Sequence, residues 1–202
     1  MTDDWRSQLL GAVSPLAVGV GELHVNNFRA SDDEQLRPAR TAAVLVPVLD
    51  LERPEILLTR RAAHLSQHAG QVSFPGGAAE DSDGTAVITA LREAEEEIGL
   101  SPEMVTPLGF LDRFDTVSDY RVLPVVGLVR PPVEWKIDRS EVDEIFTVPL
   151  EVALDRERYS KQVMQIDNHS FIMHSLQWQG HVVWGLTAAM LVNLSIRMGR
   201  SS

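Results

Sequence analysis

The chain has 202 residues, of which 44% are hydrophobic and 23% charged, with a formal net charge of −11 and no cysteine. That length suits one domain with a substantial core. The acid excess argues against a nucleic-acid backbone as partner, and the cysteine inventory excludes disulfides and thiolate catalysis.

At the start, Asp3 and Asp4 precede Trp5 without the basic opening and apolar core of a secretory signal, so a cytoplasmic location is expected. Residues 4–13 read as a short amphipathic helix with Trp5, Leu9 and Val13 on one side, and a polar stretch from Asn26 to Arg40 follows. Residues 1–39 are therefore expected to be an N-terminal extension to a domain spanning 40–200. The run TAAVLVPVL, Thr41 to Leu49, predicts a buried strand, with Pro47 placing it at an edge or a bulge because proline lacks a ladder donor. Glu52-Arg53-Pro54 makes a turn, and Glu55 to Thr59 returns as the second arm of a hairpin.

The stretch from Phe74 to Leu100, FPGGAAEDSDGTAVITALREAEEEIGL, organises the chain. From Thr85 to Ile98 the apolar residues Val87, Leu91, Ala94 and Ile98 recur at spacings of three and four, which predicts a helix with one buried face. Beside that face Glu93, Glu96 and Glu97 stand at i, i+3 and i+4, so three like charges project from adjacent turns. Clustered oxygen ligands are what a hard divalent ion such as Mg²⁺ selects. A solvated acidic face accounts for Glu95. It does not account for the preceding Phe-Pro-Gly-Gly, the loop acids Glu80, Asp81 and Asp83, or the stop at Gly99, a residue suited to a left-handed helix end.

Beyond the helix, Ser101-Pro102-Glu103 makes a turn, Val105 to Leu111 a strand, Asp112 and Asp115 an acidic loop, and Arg121 to Val129 another strand. Arg139 to Asp155 reads as a helical turn capped at Ser140, a strand and a helix start. Lys161 to Asp167 and Phe171 to Trp178 alternate around Asn168-His169-Ser170 and predict a hairpin, followed by a strand from His181 to Trp184 and a helix from Gly185 to Met198. The uncharged run Val182 to Ile196 is shorter than the ~20 residues of a membrane span and reads as a buried helix. The six histidines lack metal-ligand spacing, so His64 reads as a surface or hydrogen-bonding residue, and so does His68 on spacing alone.

Gly77, Arg92-Glu93, Glu96-Glu97 and Gly99-Leu100 together resemble the signature of the Nudix hydrolases. Two positions depart from it: Gly84 stands where the family has a Glu eight residues before the Arg, with Asp83 the nearest acid, and Ala94 replaces a larger aliphatic residue. Upstream, Leu57, Leu58, Thr59, Arg61, Gly70, Phe74, Pro75, Gly76 and Gly77 resemble the coenzyme A pyrophosphatases, which carry an arginine where this chain has Ser66. Ser118, Tyr120, Val122, Pro124, Val125 and Val126 extend that likeness, with Asp119 in place of a glycine, as does Trp184 to Ala188.

The resemblance, covering roughly residues 40–190, implies an α/β fold of the Nudix α/β/α sandwich type with a mixed β-sheet. It implies Mg²⁺ or Mn²⁺ held by Glu93, Glu96 and Glu97 with the Gly77 carbonyl, and Arg92 orienting these carboxylates. A general base outside the helix would be Glu141 or Glu144; the competing account, favoured on the sequence, is capping for Glu141 and solvation for Glu144. On the substrate side it implies Phe74 and Arg61, with Arg60 or His68 replacing the charge missing at Ser66, and Tyr120 either stacking on an adenine or packing in the core. The expected partner is a coenzyme A-like nucleotide, with no nucleic acid and no membrane, and a homodimer fits the family. The expected reaction is pyrophosphate hydrolysis giving adenosine 3′,5′-bisphosphate and 4′-phosphopantetheine. The alternatives are another nucleoside diphosphate derivative such as ADP-ribose, or a non-catalytic nucleotide-binding module.

Overall fold

Odd and even residues of the strand Arg40–Leu49 (β2) face opposite sides of the molecule, and the layers follow from that division. The computed structural model describes residues 4–19, 22–27, 40–116, 119–166 and 169–199. In chain order its elements are α1 (Asp4–Ala12), β1 (Val25–Asn27), β2, β3 (Glu55–Arg61), β4 (Val72–Ser73), β5 (Gly76–Ala78), α2 (Ala86–Ile98), β6 (Val105–Phe110), β7 (Arg113–Asp115) and β8 (Tyr120–Val129). There follow β9 (Val142–Pro149), α3 (Leu150–Ala153), β10 (Tyr159–Ile166), β11 (His169–Trp178), β12 (His181–Trp184) and α4 (Gly185–Arg197).

Ala43, Leu45, Leu57, Leu123 and Val125 pack against Ala90, Ala94 and Ile98 of α2 on one face. On the other face Val46, Val48, Ile56, Leu58 and Val126 share a cluster with Leu191 and Leu194 of α4. Two helical layers on a sheet make the expected α/β/α sandwich. The sheet is mixed: β2 runs parallel to β8 and β1 to β7, and the other pairings are antiparallel. A separate antiparallel sheet of β10, β11 and β12 packs on α4. Among the described residues no helix is long and apolar enough to cross a membrane.

Several local expectations change. Pro47 lies in a strand with neighbours on both sides, not at an edge. The backbone nitrogen of Leu45 bonds the Pro75 carbonyl, and strand alternation turns the Pro47 nitrogen to that same side. There the ladder is interrupted, since β5 pairs only Ala42 to Val44 and β3 only Val48 and Leu49, so no ladder bond is lost. Ser140 caps nothing; instead Asp138 accepts from both its backbone nitrogen and its hydroxyl, and β9 begins two residues later. Residue 115 of the expected acidic loop belongs to strand β7, while His169 and Ser170 belong to β11, paired from Ile166↔His169. Asn168 and Ser118 lie outside the described residues.

The described N-terminal residues pack on the domain. Ser14 exchanges backbone hydrogen bonds with Phe110, Arg6 pairs with Asp50, and Arg197 of α4 binds the Ala12 carbonyl.

At Gly76 a Cβ would sit 2.5 Å from the Ala43 carbonyl oxygen and 2.6 Å from the Val44 Cα. Both obstacles are backbone, so no rotamer change relieves them. Gly76→Ala is expected to destabilise the fold by about 1–3 kcal/mol, the usual cost of overpacking, measured as a fall in the urea midpoint; an unchanged midpoint would contradict this packing.

Candidate active site

Thr85 opens α2, its side chain accepting from the Ile88 nitrogen, and Gly99 closes it in the left-handed conformation at φ 70. The buried face centres on Ala90, Ala94 and Ile98, with Val87 and Leu91 only partly covered. Each like-charge pair on the helix costs about 0.2–0.5 kcal/mol, whereas a fully buried aliphatic side chain contributes about 1.5–3 kcal/mol. Packing therefore fixes the helix despite its charge, and it brings Glu97 into the interior at 3% exposure.

Burial pushes the Glu97 carboxyl up to about 8, against the partial relief of the Arg61 guanidinium. Arg61 Nη1 stands 3.9 Å from Glu97 Oε1, and Glu97 Oε2 is buried without a hydrogen-bond partner. Glu93 is also raised, first by burial, and the charge of Glu141 raises the proton affinity of both glutamates. Glu96 behaves differently: its side chain is 59% exposed and bonds Arg92 Nη1 at 2.8 Å. Among the described residues no three carboxylates or histidines stand assembled as a ready metal cage. Glu93 and Glu97 nonetheless fit a hard divalent cation, being oxygen donors desolvated together, one with an oxygen left orphaned.

Arg92 touches Asp83 through Nε at 2.9 Å and Nη2 at 3.1 Å, Glu93 at 3.1 Å and the Ala78 carbonyl at 3.1 Å. Asp83 is itself buried, accepting from the Thr89 hydroxyl and the Glu80 nitrogen. The Arg92 hydrogen bond, then that of Glu80, holds its carboxyl well below the usual range. Arg92 thus contacts both Glu93 and Glu96 on the helix while Asp83, an acid to which the sequence assigned no role, anchors it from the loop.

Gly77 lies in β5 opposite Ala43, and a Cβ there would sit 2.6 Å from the Glu93 Cδ. That obstacle is the end of a flexible side chain. Gly77→Ala is expected to fold normally and displace Glu93, lowering divalent-ion affinity by roughly 10–100-fold, as when the support of a ligand is lost; titration calorimetry with Mn²⁺ would measure it, and native affinity would show that Glu93 tolerates the methyl.

Arg60 and Arg61 are neighbours in a strand and so diverge. Arg61 reaches Glu97, while Arg60 pairs with Glu144 at 3.2 Å beside His181, away from the acidic helix. A register shift opposite these residues pairs Arg60 with Glu144 and Arg61 with Val142, setting Glu144 with Arg60 and leaving Glu141 by the acidic pair. Phe74 is 3% exposed and belongs chiefly to the core, yet with Arg61, His68 and Tyr120 it also lines an apolar cavity of about 440 Å³. His68 has φ 55 and bonds the Gln71 side chain at 2.9 Å, and His64 is exposed. Ser66 is exposed in the same loop. Trp184 and Leu186 complete that wall; the sequence places them in the terminal strand and helix and within the Trp184 to Ala188 likeness to the coenzyme A pyrophosphatases, with no binding role attached.

The NUDIX domain family matches residues 39–165. Relatives from Escherichia coli (strain K12) and Enterobacter sp. (strain 638), each named "Uncharacterized Nudix hydrolase NudL", are 40% and 39% identical over 160 residues, covering 79% of this chain and 83% of each relative. Neither name specifies a substrate. A C. elegans Ap4A hydrolase binary complex aligns at 23% identity and a TM-score of 0.47 over 56% of this chain and 83% of that one. With this family match over an intact acidic helix, the chain belongs to the Nudix hydrolase family and is a pyrophosphohydrolase.

Proposed function

We propose that the chain hydrolyses the pyrophosphate bond of coenzyme A or a derivative, yielding adenosine 3′,5′-bisphosphate and 4′-phosphopantetheine. The observation that carries this reading is the approach of Arg61 to Glu97, which joins the segment resembling coenzyme A pyrophosphatases to the acidic helix. Mg²⁺ or Mn²⁺ would be held by Glu93 and Glu97 with the Gly77 carbonyl, and by Glu96 once its carboxylate leaves Arg92. When bound, such an ion neutralises phosphoryl oxygens and lowers the pKa of an attacking water.

The chain's own groups divide the remaining work. Asp83 holds Arg92, and Arg92 holds Glu93 in place. Arg61 faces the diphosphate with a guanidinium suited to bidentate contact. Glu141, exposed and coupled in charge to Glu93 and Glu97, takes the proton of the water. Arg60 is not needed for the scissile phosphates, being tied to Glu144.

The test is cleavage by the purified protein with Mg²⁺ or Mn²⁺ across coenzyme A, acetyl-coenzyme A, ADP-ribose, NADH and diadenosine polyphosphates, with products identified by mass. Preference for the coenzyme A compounds is expected. Preference for ADP-ribose or a dinucleotide would overturn the substrate assignment and make exposed Ser66 the residue that distinguishes this chain.

A further inference from the structure

Two cavities adjoin the site and share Gln71, Val72 and Trp184. The larger, about 570 Å³, has a mixed polar and apolar lining and contains Arg60 and His181. Its charge is already balanced, because Glu144 lies 3.2 Å from Arg60 and 3.6 Å from His181. The smaller, about 440 Å³, is apolar and includes three aromatic rings, those of Phe74, Tyr120 and Trp184. Arg61 is its one permanently charged side chain among the described residues, and that guanidinium is the one beside Glu97.

An apolar chamber with a cation at the end nearest the acidic helix suits an uncharged group joined to a phosphate. Its polar equipment narrows the class. The Gln71 side-chain oxygen is occupied by His68, leaving the amide NH₂ as a donor at the wall. Aromatic faces with an amide donor beside them suit a planar heterocycle better than a flexible aliphatic arm, which offers no flat face to stack. Trp184 is 39% exposed although large and apolar, a placement that leaves its ring available.

We propose that Trp184 is a specificity-determining residue whose indole stacks on the nucleobase of the substrate in the cavity bounded by Phe74, Tyr120 and Leu186. This rests on the proposed function only for placing the diphosphate near Arg61.

The test is calorimetric titration of the full chain with AMP, ribose 5-phosphate and 4′-phosphopantetheine, in the native protein and in Trp184→Leu and Trp184→Phe. Leucine keeps apolar bulk without a ring, so folding is preserved at this partly exposed site. Trp184→Leu is expected to weaken AMP binding about tenfold or more, within the range of one base–aromatic stack, leave ribose 5-phosphate unchanged, and be rescued by Trp184→Phe. Equal weakening of all three ligands, selective loss of 4′-phosphopantetheine, an unaltered AMP affinity, or no AMP binding by the native protein would overturn the assignment. The readout is independent of turnover: inactivity on coenzyme A with Trp184-dependent AMP binding would remove the proposed substrate alone, and the reverse result would remove this inference alone.

Discussion

Glu97→Gln is expected to lower turnover by roughly a thousandfold, the scale of losing one preorganised charge from a reaction site, while leaving the metal-free fold at least as stable as the native one. The two effects have one cause. Glu97 is 3% exposed, its Oε2 has no hydrogen-bond partner, and burial raises its carboxyl from 4.5 to about 8. The folded chain therefore binds this proton more tightly than the unfolded chain, so the contribution to stability is fully present below pH 4.5 and is lost as pH rises to about 8. The loss is on the order of a few kcal/mol. Glutamine is neutral throughout, so the variant lacks this dependence. Urea unfolding without divalent ions at pH 5 and pH 9 should show the native chain weakening more than the variant across that interval. Adding Mg²⁺ or Mn²⁺ should raise the melting temperature of the native chain and not that of the variant, since a ligand that binds only the folded state stabilises it. Near-native turnover in Glu97→Gln would sink the metal assignment.

How far such a site is legible in sequence depends on whether its signal is local. The helix was legible because its face repeats every three to four residues and Gly99 marks its end. The hairpin of β2 and β3 was legible because an apolar run, a turn and a returning strand suffice, although its ladder is only two pairs long. In sequence Pro47 marks an edge or a bulge because the rule concerns a lost donor, and only the gap between β5 and β3 shows that no donor is missed. Ser140 looked like a cap, but the tertiary pairing of β9 with β3 claims the residues after it for a strand. Sequence offered Arg61 as a match to the family pattern and Arg60 as a substitute for the charge missing at Ser66; a strand sends them to opposite faces, and the pairing with β9 sets Glu144 beside Arg60 and Glu141 near the acids that face Arg61. Phe74, Arg61, His68 and Tyr120 were legible singly as substrate-side candidates, but not as one wall with Trp184, since Phe74, Tyr120 and Trp184 are more than forty residues apart in the chain and come together only in the fold.

Asp83→Ala carries the second large effect, for a residue at which the family pattern itself fails. The signature acid is absent at Gly84, which turns at φ 69, and the acid one residue earlier reaches Arg92. Asp83 accepts four hydrogen bonds, two from Arg92 and one each from Thr89 and Glu80, so it ties the loop, the helix start and the arginine together. Without it Arg92 loses its main partner and is drawn wholly onto Glu93 and Glu96, the carboxylates proposed to hold the metal. Turnover is expected to fall about 10–100-fold, the usual cost of removing a group that orients a ligand. Asp83 is held ionised in the folded state, its carboxyl lying below the ordinary value, so its stabilisation is present above pH 3.8 and is lost as pH falls below it. The variant should therefore melt lower than the native chain at pH 7, with the gap closing toward strongly acidic pH. Asp81→Ala, which removes an exposed acid of the same loop, is the control and should change neither quantity. Equal activity in the Asp83 and Asp81 variants would mean that Arg92 is positioned well enough by the helix alone, and the anchoring role would fall.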